Sequence, residues 1–315
     1  MARYDTIIIG AGAAGLAAAL YATRRKLSTL VLSRDLGGQT ATTMDIENYP
    51  GVDFSTGPDL MNRFADQAKK FGAQIVLDGI TEIAKVADGL NVITESGATY
   101  QTRSVILAFG KSHRHLDVPG EKEFMNKGVV YCATCDAPLF EGKTVAVVGG
   151  GNAAMDAVIL LSKIAGKIYL VHRREEFRAE AVLIDKVKRD QKVELVLNAT
   201  VKEIKGDQFV NTLIVNTPTG ERELVVEGVF VEIGQIVSSE FLQGLVNLNE
   251  AGEIIIDQFN TTSCSGIFAA GDATTVPFKQ TVISAGEGAK AALAAYNYLQ
   301  GRDPGAKFAD QGYIK

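Results

Sequence analysis

Residues 6–9 read Thr-Ile-Ile-Ile, run into Gly10-Ala-Gly-Ala-Ala-Gly15, and continue as an Ala- and Leu-rich stretch over 16–24. An apolar β-branched run predicts a buried strand, the glycines a tight turn, and the stretch beyond them a helix. The same pattern returns at 144–148, at Gly149-Gly-Gly-Asn-Ala-Ala154 and over 155–164. A further apolar run follows each helix, at 29–32 and 167–171, so the chain holds two βαβ beginnings. Its apolar content is mainly Ala, Val, Ile and Leu, with no Trp, which suits parallel strands covered by helices.

A third strand–glycine segment, 266–270 followed by Gly271-Asp272, leads to a helix expected over 287–299 and has no phosphate-type turn of its own. These elements would complete the first domain, and the second would then be an insertion within it. Between the two, 100–108 reads as a strand ending in Phe109-Gly110, and the polar stretch 111–121, with Pro119-Gly120, reads as a linker. An apolar run over 225–233 precedes Gly234, and a second crossing is expected near 241–250. The expected fold is α/β, with two Rossmann-like nucleotide-binding domains of the three-layer ββα type, the second inserted into the first. The expected domains are 1–114 with 247–315, and 118–244, with hinges near 112–118 and 241–250.

The chain has 315 residues and a formal net charge of −5, which gives no electrostatic reason to expect nucleic acid or an anionic membrane as partner. Three cysteines are too few for a disulfide scaffold and point to a thiol role inside the cell. No charged-then-apolar leader opens the sequence, and its apolar runs are too short to span a bilayer. The expectation is a soluble, cytoplasmic protein.

In the first turn Gly10 would permit the tight bend, Gly12 the close approach of a pyrophosphate, and Gly15 the packing of helix on strand. The phosphates would then meet the helix start at Ala13 and Ala14, where free N–H groups and the helix dipole favour negative charge. The alternative is a packed turn with no ligand. A ribose-binding carboxylate is expected about 20 residues on; Ser33 stands there, with Asp35 slightly later. The second turn offers Gly149, Gly151, Asn152, Ala153 and Ala154, and the strand after it ends in His172, Arg173 and Arg174, with Arg178 beyond. Guanidinium groups in that place suit a 2′-phosphate and so NADPH over NADH, whereas a solvated basic segment is the alternative.

Cys132-Ala-Thr-Cys135-Asp136 lies just before the second turn. A zinc site would need further ligands, and only Cys264, His113 and His115 are at hand, so no metal is expected. An inert pair of small core residues is a second reading, and a redox dithiol is the third. In the last, closure of a small ring and a lowered thiol pKa make exchange possible near neutral pH, and Asp136 stands where it can pass a proton. Cys264 reads as structural.

Taken in this order, the motifs resemble low-molecular-weight thioredoxin reductases along essentially the whole chain. The residues that carry the resemblance are the first glycine turn, Gly37-Gly38-Gln39, Glu47-Asn48-Tyr49-Pro50-Gly51, Cys132-Ala-Thr-Cys135-Asp136, His172-Arg-Arg and Gly271-Asp272. The run from Gly271 to Gln280 and the run Gly286-Glu-Gly-Ala-Lys290 also look like the flavoprotein component of alkyl hydroperoxide reductase.

The resemblance implies FAD held by Gly10, Gly12, Ala13, Ala14, Gly15, Gly37, Gly38, Gln39, Asn48, Gly271, Asp272, Lys279, Gln280 and Thr281. It implies NADPH held by Gly149, Gly151, Asn152, Ala153, Ala154, His172, Arg173, Arg174 and Arg178. Cys135 would face the flavin, Cys132 would attack a partner disulfide and Asp136 would be the acid. Electrons would pass from NADPH through FAD and the Cys132/Cys135 disulfide to thioredoxin or a thioredoxin-like protein outside the chain. The resemblance also implies a homodimer and rotation of the inserted domain about its two linkers. Phe109, Gly234-Gln-Ile-Val-Ser238, Ala153 and Asp156 depart from the usual pattern. Two other readings are a reductase of a peroxiredoxin or alkyl hydroperoxide system, and a relative fed by NADH or ferredoxin. A flavin-binding module without catalysis is the remote one.

Overall fold

The computed structural model describes residues 3–42, 46–242 and 244–307, and at Cys135 the backbone alone. The chain divides into two compact units, one of Met1–Ser112 with Ile236–Lys315 and one of His113–Gln235. The return crossing thus lies at Gln235–Ile236, upstream of the 241–250 segment expected from the sequence. That segment is too apolar to serve as a linker. Phe241, Leu242, Leu245, Val246 and Leu248 pack into the first unit's core, where Phe109 meets Phe241 edge-on at 5.2 Å. On the outward crossing, the polar stretch after Ser112 is folded onto the inserted unit. The buried Glu121 carboxylate accepts N–H bonds from Leu116 and Asp117 at 2.8 Å each.

In the first unit the parallel strands lie in the order Gln74–Leu77, Thr29–Leu36, Arg3–Ala11, Thr99–Leu107 and Ile267–Ala269. Successive side chains of a strand point to opposite faces, and both faces here are covered. Ile8, Val31, Ile106 and Phe268 join the helical layer of Ala13–Arg24, Gly57–Lys70 and Thr281–Leu299. Ile7, Ile9, Leu30, Leu32, Val105 and Leu107 meet the antiparallel pair Ile80–Val86 and Gly89–Thr94 on the other face. Thr99–Leu107 joins the antiparallel pair to the parallel strands in one seven-stranded sheet. Its first half pairs with Gly89–Thr94 and its second half with Ile267–Ala269.

The inserted unit repeats the plan. Its parallel sheet runs Val193–Val196, Lys167–Val171, Thr144–Gly149, Gly228–Glu232 and Val129–Val130. Val145, Val147, Ile168, Leu170 and Phe230 face the helix Asn152–Leu161. Ala146, Val148, Val229 and Val231 face an antiparallel meander of Thr200–Gly206, Val210–Thr217 and Gly220–Val225. The apolar run at 225–233 is therefore divided between the end of the meander and a parallel strand.

The last helix begins at Thr281 rather than near 287. Gly286 and Gly288 look like helix breakers in sequence, but they differ in purpose. A Cβ at Gly288 would lie 1.9 Å from the Ala14 carbonyl oxygen, so this glycine lets the Thr281–Leu299 and Ala13–Arg24 helices touch. A Cβ at the exposed Gly286 would meet nothing within 4 Å. Gly288→Ala should therefore destabilise the protein by about 1–3 kcal/mol through overpacking. Gly286→Ala should be neutral or stabilise by up to about 1 kcal/mol. Thermal unfolding of the two variants, followed by circular dichroism, checks the pair.

Candidate functional site

Both glycine turns leave the carboxyl ends of central parallel strands, where open α/β sheets bind their ligands. At the first, Gly10 has φ +106°, and a Cβ there would lie 2.4 Å from the Ala108 carbonyl oxygen. A Cβ on Gly15 would lie 1.8 Å from the carbonyl oxygen of Gly10. The protein's own packing demands these two glycines. Gly12 is different, because the nearest atom to its Cβ would be the Gly37 carbonyl oxygen, 3.8 Å away. Nothing in the fold needs a glycine there, and the bare backbone fits a phosphate that must come close. The helix that follows has Gly12 as its N-cap with no side-chain hydrogen bond, so its first N–H groups stay available for an anion.

The other first-unit residues singled out in the sequence gather around this turn. A Cβ on Gly38 would approach the Gly12 Cα at 3.6 Å, and one on Gly271 would approach the Ala14 Cβ at 2.9 Å. Asn48 donates to Gln280 Oε1 at 3.2 Å, Thr40 and Thr281 share a hydroxyl bond of 3.0 Å, and Gln39 donates to the Lys111 carbonyl. Ser284 donates to Asp272 at 3.0 Å. Asp35, late for a ribose, instead accepts the Gly38 N–H at 2.9 Å and shapes the loop. Lys279 is directed at the Thr274 carbonyl at 2.7 Å and at Glu253, which also pairs with Lys111. Burial, and then the charge of Lys111, hold its pKa down. Thr40, Lys111, Glu253 and Ser284 escape a reading by sequence because none belongs to a motif.

At the second turn a Cβ on Gly149 would lie 2.3 Å from the Glu232 carbonyl oxygen, whereas one on Gly151 would meet nothing within 4 Å. Gly151 caps the helix Asn152–Leu161 without a side-chain bond, so the arrangement at Gly12 is repeated. Ala154 is buried against Gly149, and Ala153 is exposed. Asn152 and Glu180 hold each other through two bonds, 3.1 and 2.9 Å, and Arg178 N–H donates to the Gly150 carbonyl at 2.8 Å. His172 packs against the same turn. Its ring is 8% exposed, sits where a Cβ on Gly150 would be, stacks on Phe177 at 5.1 Å and bonds the Glu176 carbonyl at 3.1 Å. It supports the turn from behind. Arg173, Arg174 and Arg178 are exposed, and none is ion-paired among the described residues.

Cys132 follows the strand Val129–Val130, and its carbonyl accepts the Asp136 N–H at 3.1 Å across the short helix Ala133–Asp136. Cys132 is partly buried and Asp136 is buried; the Cys135 side chain lies outside the described residues. Just before them Tyr131 donates to Glu121 at 2.7 Å and meets His115 Nδ1 at 2.9 Å. Burial, and then the Glu121 bond, raise the Tyr131 pKa, so the phenol keeps its proton. Burial pushes the pKa of Glu232, at the end of its strand, up to about 7. Cys264 is a free thiol buried in the first unit's core. Among the described residues no cluster of His, Cys, Asp and Glu is arranged for a metal, and no helix is long and apolar enough to cross a membrane.

Residues 4–292 match the family described as Pyridine nucleotide-disulphide oxidoreductase, and the chain belongs to that family. It is 41% identical to the thioredoxin reductase of Bacillus subtilis, covering 94% of this chain and 95% of that one. It is 42% identical to an alkyl hydroperoxide reductase component of Xanthomonas campestris, over 94% of this chain and 57% of the relative. The chain spans only 57–66% of the length of six of the curated relatives it matches. Among solved structures, thioredoxin reductase from Streptococcus pyogenes superposes with a TM-score of 0.89 at 37% identity, covering 95% of this chain and 99% of that one.

Burial, opposed by the Glu176 bond, lowers the His172 pKa, so the folded unit holds the ring neutral. As pH falls below the ordinary histidine value of about 6.5, the unfolded chain takes up the proton first. Stability is then lost until the lower folded pKa is reached. His113, also lowered by burial, adds a slope of the same sign. His172→Gln should therefore flatten, without abolishing, the acid side of the stability profile. Denaturant titrations of both proteins between about pH 5 and 7 measure it.

Proposed function

We propose that the chain is an NADPH-dependent reductase that delivers electrons, by way of FAD and a Cys132–Cys135 disulfide, to thioredoxin or a thioredoxin-like protein. The observation that carries this reading is two bare glycine cradles, at Gly12 and Gly151, on a chain whose Cys132 is disulfide-bonded. The free, buried Cys264 supports Cys135 as the partner of Cys132. Relatives named as thioredoxin reductases, at 41–42% identity over nearly their whole length, support the same reading.

FAD would rest on Gly10, Gly12, Ala13, Ala14 and Gly15. Gly37, Gly38, Gln39, Asn48, Gly271, Asp272, Lys279, Gln280 and Thr281 would complete its site. A flavin bound there supplies two-electron transfer between a pyridine nucleotide and a disulfide. NADPH would rest on Gly149, Gly151, Asn152, Ala153 and Ala154, with Arg173, Arg174 and Arg178 offering charge-assisted bonds to the 2′-phosphate. His172 acts through the turn it supports.

In the reduced dithiol the Cys132 thiolate attacks one sulfur of the partner's disulfide, and the other partner sulfur leaves as a thiolate. The Cys135 thiolate then attacks the Cys132 sulfur, closing the Cys132–Cys135 bond and releasing the partner as a dithiol. Asp136 would carry the proton that each leaving sulfur takes up. A cytoplasmic homodimer belongs to the same proposal. The 42% identity with the alkyl hydroperoxide reductase component favours a second reading, in which the partner belongs to a peroxide-reducing system.

Steady-state reduction of thioredoxin tests the reading. Cys132→Ser and Cys135→Ser should each abolish turnover. The double variant Arg173→Ala/Arg174→Ala should raise the KM for NADPH about tenfold or more, with NADH little changed. An inactive wild type with thioredoxin, but an active one with a peroxiredoxin-system partner, selects the second reading. Equal KM changes for NADPH and NADH would remove the arginines from 2′-phosphate recognition.

A further inference from the structure

The strand Lys167–Val171 and the helix Ala181–Arg189 are joined by residues 172–180, which have no regular structure. Arg173, Arg174 and Arg178 all lie on this loop with exposed side chains. An exposed guanidinium is directed only as well as the backbone beneath it, because ordering its own rotamers costs entropy. The loop is held at two places. The Asn198 N–H donates to the Arg174 carbonyl at 3.3 Å, and at the glycine turn the Arg178 N–H donates to the Gly150 carbonyl at 2.8 Å. The second attachment is completed by Glu180. Asn152 Nδ2 donates to Glu180 Oε1 at 3.1 Å, and the Glu180 N–H donates to Asn152 Oδ1 at 2.9 Å. Asn152 opens the helix Asn152–Leu161, so this pair ties the end of the arginine loop to the start of the helix behind Gly151. Both heteroatoms of the Asn152 side chain are engaged, and the part of it that suits a phosphate is its main-chain N–H. Glu180 belongs to no nucleotide motif, and its charge is the wrong one for an anion site. Its contribution there is the bond.

We propose that Glu180 is a positioning residue for nucleotide specificity: with Asn152 it straps the loop 172–180 to the second glycine turn and so aims Arg178, just ahead of it, at a 2′-phosphate. This rests on the reading of Arg178 as a 2′-phosphate ligand. Glu180 acts through Arg178 and not on the nucleotide itself. Losing the strap frees the end of the loop without disturbing the sheet, because Lys167–Val171 stays paired with Thr144–Gly149 on one edge and Val193–Val196 on the other. Adenine nucleotides with a 2′-phosphate then lose affinity, and those without it do not. Both partners of the strap are exposed, so substitutions there leave the core of the unit untouched.

The test uses the full-length, FAD-loaded protein and two readouts that need neither NADPH nor thioredoxin. In the first, trypsin is added under native conditions and cleavage after Arg178 is timed by mass spectrometry, which follows local opening of the loop. Glu180→Ala should be cut about threefold to tenfold faster than the wild type, the factor that one lost hydrogen bond supplies. In the second, calorimetry compares adenosine 2′,5′-bisphosphate with AMP, which differ only in the 2′-phosphate. Glu180→Ala should weaken binding of the bisphosphate by about the same factor and leave AMP unchanged. Glu180→Gln keeps an acceptor for Asn152 Nδ2 and should restore wild-type behaviour in both readouts. In an Arg178→Ala background Glu180→Ala should cost the bisphosphate less than it does in the wild type, because the two act as one. Equal cleavage rates, equal losses for the two nucleotides, or an undiminished effect without Arg178 overturn the proposal. A wild type that binds the bisphosphate no more tightly than AMP removes the 2′-phosphate reading and this role with it. A wild type that prefers the bisphosphate, and a Glu180→Ala protein that does so equally, remove the role of Glu180 alone.

Discussion

A phosphate can be held by main-chain N–H groups only where no Cβ stands in the way, and both halves of this structure are arranged around that requirement. The bare positions, Gly12 and Gly151, sit at the first residue before a helix and after a strand that is covered on both faces. To bring strand, turn and helix so close, other glycines must give way to backbone: Gly10 and Gly15 at the first turn, Gly149 at the second, Gly288 where the last helix crosses the first. A glycine demanded by packing and a glycine demanded by a ligand look identical in sequence. The space around a missing Cβ distinguishes them, and it does so in the same way in both units.

The elements nearest this constraint are legible in the sequence. The runs 6–9 and 144–148 are buried on both faces, so they appear as nearly unbroken apolar strings, and the glycines that follow mark their ends. The antiparallel layers are not legible. Gly89–Thr94 alternates buried with half-buried residues, and Gly220–Val225 is exposed along most of its length, so neither announces itself by hydrophobicity. The start of the last helix is hidden because Gly286 and Gly288 carry low helix propensity, which packing against Ala14 overrides. The return crossing is misplaced to 241–250, where residues commit to a core formed with strands distant in sequence. The packing of His172 against Gly150 is likewise hidden in the sequence, where its arginine neighbours draw attention only to binding.

The segment from Cys132 to Asp136 is restrained within its own unit. Before Cys132, Tyr131 is fixed by Glu121, which is itself tied to Leu116 and Asp117 at the start of the insertion. After Cys132, its carbonyl accepts the Asp136 N–H at 3.1 Å. A sulfur can attack a foreign disulfide only from a defined direction, and a short helix of four residues has little rigidity of its own. The Tyr131–Glu121 bond adds to it from the side before Cys132. It is hidden in sequence because Glu121 reads as part of a polar linker.

The central claim is that one chain carries both a flavin and an exchanging disulfide, and reductant stoichiometry tests it most directly. Anaerobic titration of the purified protein with dithionite, followed by flavin absorbance and thiol count, measures how many electron pairs each chain accepts. The account predicts two pairs for the wild type, one stored as the Cys132/Cys135 dithiol and one in the flavin, and a single pair for Cys132→Ser. A wild type that takes up only one pair, with no thiols appearing, would contradict it.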